Sequence, residues 1–185
     1  MRLRKDSFRF SEECGKIWVK EIVPKYPELE RKTVDIEVWD EKSWSKAKEL
    51  KIIKPEYDYH ADLVTLIVYP KKLKLSKLGP DVPDVDALIV FNDEDTFWRK
   101  ASREEISEML SHEALRIINR KSKDDISFIL DCIKRGVPLD HHDKAILMEW
   151  GVKRAEQKLP IDPKIKEVLV SCAIEAIQNG GKVRL

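Results

Sequence analysis

The chain has 185 residues, 42% hydrophobic and 37% charged, enough to bury a sizeable core within one domain spanning 1–185. Its 35 basic and 34 acidic residues leave a formal charge of +1, so net charge points neither to nucleic acid nor to a membrane surface. The basic start Met1-Arg2-Leu3-Arg4-Lys5-Asp6 lacks an apolar signal core, and no run approaches the roughly 18 apolar residues that a membrane span requires.

Two glutamines and three asparagines accompany many Lys and Glu residues, a compositional habit of heat-adapted proteins. Cys14, Cys132 and Cys172 are scattered, without CxxC spacing. They read as reduced thiols, so a cytoplasmic protein is expected.

Ser11-Glu12-Glu13 predicts a helix start, with acids near the positive end of the dipole. Cys14, Trp18 and Ile22 then form one apolar stripe, and Pro24 and Pro27 end the helix. Thr33 to Asp40 alternates with period two and predicts a half-buried strand. Asp40 is placed to cap a short helix over Glu41 to Leu50. Ala61 to Tyr69 is a continuous β-branched run, a more buried strand closed by Pro70. Asp86 to Phe91 predicts a third strand, ending in the loop Asn92-Asp93-Glu94-Asp95.

The second half reads as helical. Ser102-Arg103-Glu104-Glu105 is a capping box opening a helix to about Arg120. Ser122-Lys123-Asp124-Asp125 opens another, with Ile126, Ile129, Leu130 and Ile133 inward and Gly136 just past its end. Asp140 caps a third helix carrying Ile146, Leu147, Trp150 and Leu159. Asp162-Pro163 starts the last, whose stripe is Val168, Leu169, Cys172, Ala173, Ala176 and Ile177, with Gly180-Gly181 as the stop. Early strands and late helices predict an α+β fold: a small, mostly antiparallel sheet of three or more strands packed on several helices, with a helical C-terminal half.

Chemistry concentrates in the capping-box helix. At 100° per residue with Ile106 at zero, Met109, Leu110, Ala114 and Ile117 mark the buried face, and Glu113 falls within it at about −20°. A carboxylate there is costly unless it is paired, protonated or bound to a cation. His112 and Arg116 lie one turn apart on the adjacent flank. The segment Ser111-His112-Glu113-Ala114-Leu115-Arg116 resembles the HExxH helix of zincin metallopeptidases. In that motif two histidines bind zinc from one helix face, and the intervening glutamate activates a water as general base.

The resemblance implies His112 as a zinc ligand and Glu113 as the base. Arg116 stands where the second histidine belongs, and a guanidinium does not ligate zinc. Remaining ligands would come from His141 and His142, with Arg116 near enough to polarise a carbonyl or bind an anion. Three readings stay open: a solvated or ion-paired flank without function, a degenerate zincin in which the Arg116 cation stands near the lost zinc, and a working metal site hydrolysing peptides or amides.

Other features carry less. Asp93-Glu94-Asp95 reads as solvated loop acids, and Asp140-His141-His142 lacks the preceding strand that a DHH phosphoesterase signature needs. Lys71, Lys72, Lys74 and Lys77 read as a lysine-protected edge without interleaved aromatics. Trp39 and Trp98 flank the strand region and could line a pocket. No Gly-rich phosphate loop occurs. The expectation is a degenerate zincin-like protein, with zinc as the implied cofactor and enzymatic activity left undecided. The alternative is a non-enzymatic binding or assembly protein with a protein partner rather than nucleic acid or membrane; homo-oligomerisation stays open.

Overall fold

The computed structural model describes residues 2–53, 55, 59, 64–73, 85–93, 100–119 and 125–178, with side chains from Arg9 onward apart from those of 64–73. These residues fall in two compact units, Met1–Ile118 and Asn119–Leu185.

In the first unit, helix α1 spans Arg2–Ile17, so it begins well before the expected start at Ser11. The Ser11 hydroxyl instead donates to the Ile36 carbonyl, tying the helix to strand β1, Val34–Trp39. The stripe is as expected: Cys14, Trp18 and Ile22 are all buried. Pro24 does not end the helix outright. A proline ring crowds the carbonyl four residues back and supplies no N–H. The backbone widens before it into a π-helical stretch, Trp18–Ile22, in which Val23 N–H donates to Trp18 O. A last turn, α2, covers Val23–Lys25, and a 3₁₀ turn covers Pro27–Leu29.

Helix α3, Glu41–Glu49, starts at the Asp40 cap, whose carboxylate accepts from Ser43 N at 2.8 Å. Strand β2 spans Val64–Leu73 and β3 spans Val85–Asn92. Strand β2 continues through Pro70, with a register break between Val68 and Leu73. An edge position with a bulge is where a strand tolerates a residue lacking N–H.

The sheet order is β1-β3-β2. Strand β3 is parallel to β1, with Ile36 opposite Ile89, and antiparallel to β2, with Leu66 opposite Ile89. The expected α+β fold with a mostly antiparallel sheet is therefore corrected. Helices hold most of the described residues, and the small sheet is mixed, its β1–β3 pairing parallel. The reason is the long connection between β1 and β3. It carries α3 and β2, and a parallel pairing needs such a crossover where a hairpin would give antiparallel strands.

Alternation sorts the sheet into two covered faces. Ile36, Ala87, Ile89 and Phe91 are buried on the α1 side, where Phe10 meets Phe91 edge-on at 4.9 Å. Trp39, Leu88 and Val90 join Trp44 and Ala47 of α3 on the other. The Trp39 and Trp44 rings are 6.3 Å apart and near perpendicular, a favourable aromatic geometry. Trp39 is thus core; Trp98 lies outside the described residues. Helix α4, Arg103–Ile118, completes the unit, packing on the π-helical stretch and on α1.

The second unit is helical: α5 spans Asp125–Arg135, α6 His141–Glu156 and α7 Pro163–Gln178. The expected start of α5 at Ser122 lies outside the described residues. Its end is as read from sequence: Gly136 has φ +70°, and Val137 N–H donates back to Cys132 O at 2.9 Å. Phe128 and Cys132 join Ile129 and Ile133 in the buried face. Helix α6 stops before Leu159, because Lys158 turns to φ +53° and Leu159 N–H closes on Arg154 O. At the start of α7, Asp162 accepts from Lys164 N at 2.9 Å. Gly180-Gly181 lies outside the described residues. Among the described residues, no helix is long and apolar enough to cross a membrane.

Candidate functional site

The capping box that opens α4 is reciprocal. Glu105 N–H donates to Ser102 Oγ at 3.2 Å, and Ser102 N–H donates to Glu105 Oε2 at 2.7 Å. Two donors at the helix start are thereby satisfied, which fixes the phase of every later residue. A second tie comes from the π-helical stretch. Glu21 accepts from Arg103 Nε at 3.0 Å and from Ser107 Oγ at 3.0 Å. These donors, Arg103 first, hold the Glu21 carboxyl below the usual range.

With that phase, every residue from Leu110 to Leu115 is buried. Glu113 is 5% exposed and His112 8%. Sequence reasoning places Glu113 on the inner face, as found, but puts His112 on an accessible flank. A helix buried on all sides hides the flank as well.

The carboxylate meets the imidazole: His112 Nδ1 lies 3.5 Å from Glu113 Oε1. That is too long for a good hydrogen bond, whose usual length is about 2.9–3.0 Å. The other oxygen, Oε2, is buried without a hydrogen-bond partner. Leaving a buried acceptor unsatisfied costs about 1–3 kcal/mol, more when it is charged. Arg116, one turn on, is half-buried.

His141 and His142 lie in the second unit, both exposed, in the first turn of α6. Asp140 caps this helix, accepting from Asp143 N at 2.8 Å. Asp143 is 2% exposed, a burial that sequence reasoning missed. The third residue of a helix is usually solvated, and only packing decides otherwise. Each unit thus holds a buried side chain of a type that ligates metal, His112 in the first and Asp143 in the second.

Asp93 N–H donates to Trp39 O at 2.9 Å, while Glu94 and Asp95 lie outside the described residues. Lys71 and Lys72 belong to β2, and Lys74 and Lys77 lie outside the described residues. Glu37, on β1, accepts from the Trp39 indole, yet burial first, and Asp35 beside it, push its carboxyl above the usual range. The three cysteines are free and buried, and burial pushes the Cys14 thiol up to about 12, which makes it inert. Comparison with protein-family models, with curated proteins and with solved structures gives no match for this chain.

Proposed function

We propose that the protein binds a divalent metal ion at the His112–Glu113 turn of α4, as a degenerate form of the zincin helix. The observation that carries this reading is the pair itself: an imidazole nitrogen and a carboxylate oxygen 3.5 Å apart and buried. Two ligands about 2.0–2.2 Å from a tetrahedral ion stand roughly 3.4 Å apart, so the spacing suits a shared cation better than a hydrogen bond. The unpartnered Glu113 Oε2 supports the same reading, because a cation offsets the cost of a buried carboxylate. A bound zinc would supply Lewis acidity. Arg116 supplies no lone pair, so α4 offers one histidine where a zincin helix offers two. Peptide or amide hydrolysis with Glu113 as base is accordingly the weaker form of the proposal. Three buried thiols without a disulfide suit a reducing, cytoplasmic setting.

The test is elemental analysis of the full chain after loading with zinc and dialysis. We expect a stoichiometric ion, at least tenfold weaker retention in His112→Ala, and peptide hydrolysis at background. Absence of retained metal, or unchanged retention in His112→Ala, ends the reading.

A second reading, a non-enzymatic assembly protein, draws on one observation. Val170, Ile174 and Ile177 of α7 are 53%, 51% and 60% exposed, an apolar stripe at i, i+4, i+7. Light scattering on the wild type and Ile174→Lys checks it: an oligomer that dissociates in the variant supports assembly through this face, and a monomeric wild type sinks it.

A further inference from the structure

Helices α6 and α7 touch at Gly151. A Cβ there would stand 2.7 Å from Leu169 Cδ2, so the helices meet where one of them has no side chain. Toward the N-terminus of α6 the same pair borders a groove of about 360 Å³. Its walls follow from helical spacing. His141, Lys144, Ala145 and Met148 share one face of α6 at i, i+3, i+4 and i+7, and Cys172, Glu175 and Ala176 share one face of α7. Two alanines leave the room that larger side chains would fill.

The floor is apolar and rich in sulfur. Met148 is half-buried and Cys172 is 5% exposed. Burial pushes the Cys172 thiol upward, with Glu175 adding to the effect and Lys144 opposing it. It therefore acts as a neutral, polarisable wall rather than a nucleophile. Thioether and thiol groups make favourable contacts with aromatic rings. At the rim, Lys144 Nζ donates to both Glu175 oxygens, at 3.0 and 2.8 Å, and both side chains remain partly exposed. A hydrogen-bond donor and acceptor thus stand side by side above an apolar floor.

We propose that this groove binds a flat nitrogen heteroaromatic of one or two rings, its face against Met148 and Cys172 and its edge accepting from Lys144 and donating to Glu175. The volume lies at the small end of ligand clefts, which run from about 300 Å³ upward. A neutral edge that both donates and accepts uses the ion pair without separating it. An anionic head group would meet Glu175, with Asp140 and Asp143 at the same end of α6. A simple cation would gain nothing from the sulfur-lined floor.

Adenine, titrated into the full chain and followed by the methyl resonance of Met148, is the probe. We expect a saturable shift and at least tenfold weaker binding of toluene, which has the ring but not the edge. Ala145→Trp should fill the groove and abolish binding, and Lys144→Met with Glu175→Leu should weaken it at least tenfold. The rim variant alters partly exposed side chains and decides the matter if Ala145→Trp does not fold. A shift that never saturates, a rim variant that binds adenine as the wild type does, or tighter binding of benzoate than of adenine overturns the proposal.

Discussion

The first unit carries charge inward, with Glu113 in the buried stretch of α4 and Glu37 half-buried on β1. The second buries Asp143 in the first turn of α6 and pairs or caps with four other acids. Asp131 accepts from Asn119 and Arg135, Asp140 accepts from Asp143 N, Glu149 pairs with Lys153, and Glu175 pairs with Lys144. The second unit also leaves an apolar stripe exposed on α7, at Val170, Ile174 and Ile177. A buried, half-satisfied carboxylate destabilises a fold unless something compensates it. An exposed apolar side chain costs the fold little and matters when it meets a partner. The Glu113 carboxylate therefore points to something bound within the first unit, and the α7 stripe to something met at the surface of the second.

The largest expected effect removes packing from either unit alike. Leu110→Ala and Leu147→Ala, both at fully buried positions, should each cost about 2–5 kcal/mol in urea unfolding. A loss well under that range in one unit only would place the contrast in packing quality rather than in charge.

Next comes Glu113→Leu in chelator-treated protein. Replacing an under-satisfied buried carboxylate by an apolar group of similar volume should raise stability by about 1–3 kcal/mol. A comparable loss would show that Glu113 is compensated within the fold and would remove the reason for seeking a cation there.

The Glu37 carboxyl gives a pH signature. Its folded value is raised, with burial the main cause, so the folded state holds the proton more tightly than the unfolded chain. Stability should be greatest at acid pH for this group and should fall as pH rises from the ordinary carboxyl range through the raised value. Glu37→Gln should flatten that slope. An unchanged slope would place the titration elsewhere.

The smallest effect belongs to the exposed stripe. Ile174→Lys should change monomer stability by no more than about 0.5 kcal/mol, as surface changes usually do. A larger loss would mean that Ile174 is covered within the fold and would remove the contrast between the units.

Much of this was written in local signals. The caps at Asp40, Ser102, Asp140 and Asp162 and the Gly136 stop were legible because each satisfies nearby backbone groups through a short, fixed spacing. The inward position of Glu113 was legible because helical phase is arithmetic. Long-range matters were not. Nothing local announces that β3 runs parallel to β1, that the helix crosses Pro24 through a π-helical stretch, or that Ile177 of the expected inner stripe lies 60% exposed.

By itself, then, the sequence determined where α3, α4, α6 and α7 begin, where α5 ends and which helix carries a misplaced acid. Hydrogen bonds over three or four residues and a 3.6-residue period need no distant partner. Only the tertiary structure decided the strand pairing, the burial of His112 and Asp143, and the groove that Lys144 and Glu175 close from different helices. Those depend on which surfaces meet, and side chains 31 positions apart in the chain become neighbours only after the helices have packed.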